Sequence, residues 1–200
     1  MDDAEFDRAV VKAVFDQAAL RGWADVSLVE AAREAGLDLG RVRARFPARP
    51  VVLLRFGVIL DQAALAGAAT EGSERERLFD MLMNRFEALQ AHRGGVMALL
   101  VALRTDPATS LLLYCATLRS MGWLLEAAGV PAGGVLGGLR AHGLLAIWLY
   151  ALRAWERDES PDLSGTMAAV DRGLDRAMRA ERSLPGGMRG PEPPPEPAVV

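Results

Sequence analysis

The sequence has one cysteine, few aromatic residues and no segment in which apolar and polar residues alternate over several positions. Cys115 has no partner within the chain, so an internal disulfide is excluded. Aromatic residues make up 6% of the sequence, and alanine and leucine outnumber valine and isoleucine. Because half-buried strands need alternation and favour β-branched residues, a sheet has little support. The sequence therefore predicts an all-α protein.

A strong overall charge is also missing, as is a long apolar run. The formal net charge is −3, so a nucleic-acid-binding surface would have to be local. The N-terminus is acidic and lacks the apolar run of a secretory signal. The apolar stretch 143–152 reaches about half of the ~20 residues that a membrane span requires. We expect a cytoplasmic protein without a membrane span.

Residues with the spacing of a metal or catalytic site are missing too. His92 and His142 lie far apart and have no cysteine at ligand spacing, which argues against a zinc site. No Ser-His-Asp or Cys-His grouping and no glycine-rich phosphate loop can be inferred. The sequence therefore predicts a protein that is not an enzyme and has no cofactor.

Glycine, proline and N-capping residues divide the chain into nine predicted helices. Ser27 followed by Glu30 predicts a capping box, in which the hydroxyl accepts from the Glu30 N–H and the carboxylate binds back to Ser27. Gly22 and Gly36 supply positions that end helices. The predicted helices cover residues 2–21, 27–35, 38–46, 50–68, 74–91, 94–104, 107–128, 133–157 and 162–182.

Residues 27–49 combine a short capped helix, a glycine turn and a short arginine-rich helix, which is typical of a helix-turn-helix. At 100° per residue, one side of the second of these helices is apolar and the opposite side is small and basic. The apolar side carries Leu39, Val42 and Phe46, the opposite side Gly40, Arg41 and Ala44, and the flanks Arg43 and Arg45.

A local basic patch accompanies this helix. Asp38 is the only acidic residue between positions 35 and 60, whereas five arginines lie there: Arg41, Arg43, Arg45, Arg49 and Arg55. Such a patch favours DNA binding. The alternative is an arginine face that is merely solvated and has no partner.

Residues 15–54 resemble the DNA-binding segment of tetracycline-repressor-like (TetR-family) transcriptional regulators. The resemblance is carried by Gly22-Trp23, Ser27-Leu28-Val29-Glu30-Ala31-Ala32, Ala35-Gly36-Leu37, Gly40 and Phe46-Pro47. It implies that the third helix enters the major groove of double-stranded DNA, and that a larger domain dimerises and binds an inducer. The resemblance further implies that Ser27 and Arg49 contact the DNA backbone, and that Arg41, Arg43 and Ala44 face bases with Arg45 beside them.

Three positions depart from the family's usual pattern. The family has a small hydroxylic residue where Asp38 stands, a small or hydroxylic one at Arg41 and an aromatic hydroxyl at Arg43. Asp38 is expected to repel phosphate. Arg43 either replaces a phosphate-binding tyrosine with a stronger cation or marks a helix-turn-helix that no longer reads DNA.

The C-terminal part also resembles accessory proteins of ubiquinone biosynthesis, which share this fold. The resemblance implies an alternative function, the binding of a lipid or quinone in the apolar interior without use of DNA. It is carried by Trp155, Asp158, Ser160-Pro161-Asp162, Thr166, Val170-Asp171-Arg172 and Leu174.

The larger domain is rich in leucine, methionine and alanine, which suits either a plain core or an adaptable apolar pocket. The candidate pocket residues are Met81, Met97, Met121, Trp123 and Trp148. The last two helices are expected to form an intersubunit four-helix bundle through Leu144, Ile147, Leu149, Leu152 and Leu163.

Together these features predict a homodimeric TetR-type regulator with an apolar effector or lipid in its larger domain. The expected segments are a helix-turn-helix domain at 1–48, a connecting helix at 49–70 and a ligand-binding and dimerisation domain at 71–183. Residues 184–200, which contain Gly-Gly and Pro-Glu-Pro-Pro-Pro-Glu-Pro, are expected to form a disordered tail.

Overall fold

The computed structural model describes residues 1–66 and 71–183, and within these ranges it is entirely α-helical. The end of the predicted connecting helix and the predicted tail lie outside the described residues. Each helix agrees with its predicted range to within a few residues. The helices are α1 Asp3–Arg21, α2 Leu28–Glu34, α3 Leu39–Arg45, α4 Arg49–Ala66, α5 Glu74–Gln90, α6 Arg93–Ala102, α7 Pro107–Ala127, α8 Gly134–Trp155 and α9 Ser164–Ser183.

Local chemistry sets most of these boundaries. Gly22 and Gly36, with φ of 87° and 65°, take the left-handed conformation that ends α1 and follows α2. The Ser27 hydroxyl accepts from the Glu30 N–H at 3.3 Å, as predicted. The expected return bond of the Glu30 carboxylate is wrong, because this carboxylate instead accepts from Arg21 at 2.8 Å.

Helix α1 is the centre of the N-terminal part and touches both halves of the protein. Its buried side includes Phe6, Val10, Val14 and Phe15, and it packs against α2, α4 and α6. Apolar side chains of α2, α4 and α6 are therefore removed from water against a single helix.

The contact between α1 and α6 depends on two glycines. Gly94 and Gly95 lie in the first turn of α6, at the start of the predicted range 94–104. A Cβ at Gly95 would collide with the backbone carbonyl of Phe15, and one at Gly94 would lie 2.9 Å from the Cβ of Ala19. The glycines are therefore selected by the close approach of two helices and not by a chain break.

His92 lies beside this contact, where the N-terminal helices meet the larger part of the protein. Its ring centroid is 5.7 Å from that of Phe15 on α1 and 5.3 Å from that of Phe56 on α4. Burial lowers the pKa of His92 below its usual range, so the side chain is neutral at pH 7. An uncharged ring packs well between two apolar helices.

The larger part packs α8 between α7 and α9, with α5 against α4 and α9. Trp148 of α8 stacks on Phe86 of α5 with ring centroids 4.3 Å apart. The expectation that Leu144, Ile147 and Leu163 face a second subunit is wrong, because all three are buried within one subunit.

Among the described helices, α8 alone has the length and hydropathy to cross a membrane. Helix α8 has 22 residues, which is long enough for a span. The apolar stretch 143–152, which was expected to reach about half of that length, is only part of it. Core helices meet the same criterion, and the inner face of α8 is buried by Leu144, Leu145 and Trp148. Its outer face carries Val135, Leu139, Ala146, Leu149 and Tyr150, all exposed.

Candidate nucleic-acid interface

Helices α2 and α3 form the helix-turn-helix, and α1 fixes the position of α2. The buried Gln17 of α1 accepts a hydrogen bond from the backbone N–H of Ser27 at 2.7 Å. Arg21 of α1 donates to Glu30 and to Glu34, at 2.8 and 3.1 Å. These contacts orient the first turn of α2 relative to the rest of the N-terminal helices.

Helix α3 has the two faces that its sequence predicts. Val42 and Phe46 are buried, whereas Gly40, Arg43 and Ala44 are exposed on the outer side. Small residues on the outer side allow the helix backbone to approach another surface closely. This is the geometry that entry into a DNA groove requires.

Asp38 has a structural task that the family comparison did not suggest. Its carboxylate caps α3 by accepting a hydrogen bond from the Arg41 N–H at 2.6 Å. The carboxylate therefore stabilises the seven-residue helix that would carry the DNA contacts. Asp38 also starts the predicted range 38–46, so the capping role stands beside the expectation that its carboxylate repels phosphate.

Arg41 does not face outward, contrary to the prediction that it faces bases. Its Nη2 donates to the Asp3 carboxylate at 2.5 Å, and its Nη1 donates to the Met1 carbonyl at 3.3 Å. The guanidinium also lies over the Phe6 ring, 4.1 Å from the centroid. The long, flexible side chain bends back onto α1, because the charge and the apolar ring there both attract it.

Arg45, another predicted DNA contact, belongs to an ion-pair network within the protein. Its Nε and Nη2 donate to the two carboxylate oxygens of Asp7 at 2.6 and 2.8 Å, and its Nη1 donates to Asp3 at 2.8 Å. Asp7 is buried and also lies 3.1 Å from the Nε of Arg55. The pKa of Arg45 is raised, chiefly by its hydrogen bonds to Asp7. Arg45 therefore binds Asp7 and Asp3 as a cation.

Arg43 and Arg49 are both exposed, and each binds a backbone carbonyl near the helix-turn-helix. Arg43 donates to Pro47 at 2.8 Å, which holds its side chain along the outer side of α3. Arg49 donates to the carbonyls of Trp23 and Ala24 at 3.1 and 2.8 Å, and so braces the turn before α2. Neither forms a salt bridge with an acid among the described residues.

Three of the five arginines of the predicted basic patch are therefore paired with two acids of α1 that the local charge balance overlooked. The signal was present in the sequence. Asp3 and Asp7 are spaced by four residues, as are Arg41 and Arg45, so two helix faces of opposite charge match each other. A charge balance taken over the whole N-terminal part would have shown the acids, although not which arginines they bind.

The candidate pocket residues of the larger part lie in different environments. Met81 and Met121 are fully buried, Trp148 packs on Phe86, and Met97 is partly buried against the core. Trp123 is the exception. It is 67% exposed, so its assignment to an interior pocket is wrong; its position on α7 points away from the core residues Met121 and Leu124.

A buried arginine occupies the same interior. Arg85 of α5 donates to Asp61 of α4 and to Ser120 of α7, and its guanidinium lies 4.9 Å from the Trp148 ring centroid. Its Nε is buried and has no hydrogen-bond partner among the residues that the structure describes. The interior is therefore not purely apolar, and it contains one donor that a bound molecule or a water would satisfy.

Three of the residues that suggested an accessory protein of quinone biosynthesis build the corner between α8 and α9: Asp158, Ser160 and Thr166. Asp158 accepts hydrogen bonds from the backbone and hydroxyl of Thr166 at 2.7 and 2.8 Å. Burial opposes ionisation, yet hydrogen bonds from Ser160 and Thr166 lower the pKa of Asp158 to about 2. Trp155 donates to Gln90 at 2.8 Å. The hydrogen bonds of Asp158 therefore explain this part of the motif by its place in a helix corner.

Solved structures of transcriptional regulators, some of them of the TetR family, have a similar arrangement of helices. One from Nitrosomonas europaea is 21% identical, with a TM-score of 0.72 over 88% of this chain and 99% of its own. One from Streptomyces coelicolor is 20% identical, with a TM-score of 0.60 over 90% and 85%. A transcriptional regulator from Rhodococcus is 22% identical, with a TM-score of 0.55 over 87% and 96%.

Neither a protein-family model nor a curated protein matches the sequence. The similarity to the three solved structures shows that the chain has the TetR-like fold that its N-terminal motifs predicted.

The cap formed by Asp38 can be separated from its charge by two substitutions. Asp38→Asn keeps a side-chain acceptor and removes the charge, whereas Asp38→Ala removes both. We expect Asp38→Ala to lower the free energy of unfolding by about 1 kcal/mol, and Asp38→Asn to stay near the wild type. Urea denaturation followed by circular dichroism measures both. Equal stability of all three proteins would contradict the capping role.

Proposed function

We propose that this protein is a homodimeric TetR-type transcriptional regulator that binds double-stranded DNA. Each subunit would place α3 in a major groove, and the larger domain would couple an apolar effector to the spacing of the two helices. The observation that carries the proposal is the outer side of α3, where Gly40 and Ala44 leave room beside the exposed Arg43. The fold shared with regulators of this family supports it.

The proposed DNA contacts follow from which side chains are exposed and have no acidic partner among the described residues. Arg43 is the arginine of α3 that reaches the outer side without an acidic partner among the described residues, so it is the proposed contact to a base or phosphate. Ala44 lies beside it for apolar contact. Ser27 and Arg49 flank the helix-turn-helix where backbone contacts are expected. A cytoplasmic protein that acts by binding, without catalysis, fits this arrangement.

The proposed dimer uses the outer face of α8. Val135, Leu139 and Leu149 are 91%, 57% and 44% exposed, and they repeat along one side of the helix together with Ala146. An apolar stripe of this length costs free energy in water and is the kind of surface that a second subunit covers. Two copies related by a two-fold axis would cover both stripes at once.

The proposed effector site lies around Met81, Met121 and Trp148 and includes Arg85. An effector with one hydrogen-bond acceptor on an apolar body would satisfy the unpaired Nε of Arg85. Asp61, the partner of Arg85, lies on α4, which begins directly after the helix-turn-helix. A molecule that competes for Arg85 would therefore act on the helix that links the two parts.

The DNA-binding part is tested by selecting sites from a random duplex pool and measuring affinity by fluorescence anisotropy. Arg43→Ala should weaken binding to the selected site by about 1 to 3 kcal/mol, because one direct DNA contact is lost. Arg157→Ala is the matched control, since it removes an exposed arginine beyond the end of α8. A wild-type protein that selects no sequence, together with an unchanged Arg43→Ala variant, would contradict the regulator function.

The dimer is tested by light scattering with a charge placed on the outer face of α8. Leu139→Glu should shift the protein from dimer to monomer at micromolar concentration, because two buried carboxylates would face each other across the axis. Leu20→Glu is the control, since Leu20 is also exposed but lies on α1. The proposed interface would be wrong if the wild type were monomeric throughout, or if both variants stayed dimeric.

A further inference from the structure

The ion pair between Asp3 and Arg41 connects the start of α1 to the helix proposed to enter DNA. All the contacts of the Arg41 guanidinium lie on this side: the Asp3 carboxylate, the Met1 carbonyl and the Phe6 ring. The side chain of Arg41 is 33% exposed, against 67% for that of Asp3. The arginine is therefore turned away from the outer side of α3, although its position on the helix would allow it to reach outward.

Asp3 and Asp7 differ in what they hold. Asp7 is buried and binds Arg45 and Arg55, so it joins α1, α3 and α4. Its removal would leave both arginines without this acidic partner. Asp3 is exposed and also touches Arg45, but Arg45 keeps two hydrogen bonds to Asp7 without it. Arg41 has no second acid among its contacts in the described structure. A change at Asp3 therefore acts mainly on Arg41.

The pair places the Asp3 carboxylate in competition with any DNA phosphate near Arg41. An exposed ion pair contributes little to stability, because water and salt screen both charges. The Arg41 guanidinium is cationic, and the non-bridging oxygens of a DNA phosphate can accept its hydrogen bonds as the Asp3 carboxylate does. The Asp3 carboxylate and a phosphate thus compete for a single guanidinium.

We propose that Asp3 is a specificity-determining residue that withholds Arg41 from DNA, so that Arg43 is the arginine of α3 that contacts DNA in the wild-type protein. The inference rests on the proposed DNA-binding function and assigns a role to a residue outside the helix-turn-helix. Replacement of Asp3 frees Arg41, which adds one cation to the DNA-facing side of α3.

The test compares four proteins on one duplex across a salt series: the wild type, Asp3→Asn, Arg41→Ala and the double variant. Asp3→Asn should bind about fivefold more tightly at 0.15 M salt, and its log affinity should fall more steeply with log salt by about one, as expected for one added phosphate contact. Arg41→Ala should change the affinity by less than about twofold. In the double variant the gain should disappear, because no arginine remains to be released.

Asp16→Asn is the matched control. It removes the same charge from the same helix, at an exposed residue paired with Lys12 and not with α3. Its effect on DNA binding should stay below about twofold, because screening limits the reach of a surface charge to about 8 to 10 Å. Thermal unfolding confirms that each variant is folded, and Asp3→Ser replaces Asp3→Asn if the latter is not.

The outcomes separate the inference from the function on which it rests. If the wild type binds DNA but Asp3→Asn binds no more tightly than Asp16→Asn, the inference is overturned and the proposed function stands. The same holds if the gain persists in the double variant. If the wild type binds no duplex at any salt concentration, the proposed function fails, and the inference fails with it.

Discussion

The N-terminal helices depend on one buried carboxylate. Asp7 of α1 is 5% exposed in its side chain, and it binds Arg45 of α3 and Arg55 of α4. Removal of both arginines would leave a buried charge without compensation, which costs several kcal/mol. Asp7 therefore fixes α3 against the two helices that surround it, and Arg45 is committed to this task. The ion pair that positions the proposed recognition helix thus uses Arg45, which is one of the arginines of that helix.

The same helices connect the helix-turn-helix to the larger part of the protein. Helix α1 reaches α6 through the glycine contact at Gly95, and α4 reaches the interior through the pair between Asp61 and Arg85. One contact is a close backbone approach, and the other is an ion pair whose arginine is buried. A displacement of α5 or α6 by a bound molecule would therefore move α1 or α4 and, through Asp7, the recognition helix.

Local features were predictable from the sequence, and contacts between distant segments were not. Helix ends follow from residues that act on their own backbone, such as Gly22, Gly36, Ser27 and Asp38, so the helix bounds and the helix-turn-helix agree with the sequence. The fate of a long charged side chain depends on what folding brings near it. For this reason Glu30 binds Arg21 and not its own helix start, and three arginines of the basic patch are paired with α1. Periodicity likewise shows that α8 is apolar, but not which side faces α9.

The most direct test of the central claim, that α3 reads DNA in the major groove, is methylation protection of guanine N7 on a site selected by the wild-type protein. Guanine N7 faces the major groove, so a helix inserted there shields it from dimethyl sulfate. A dimer should protect guanines in two half-sites about 34 Å apart, or a multiple of that distance, on one face of the duplex. Uniform reactivity of every guanine N7 at saturating protein would contradict the claim.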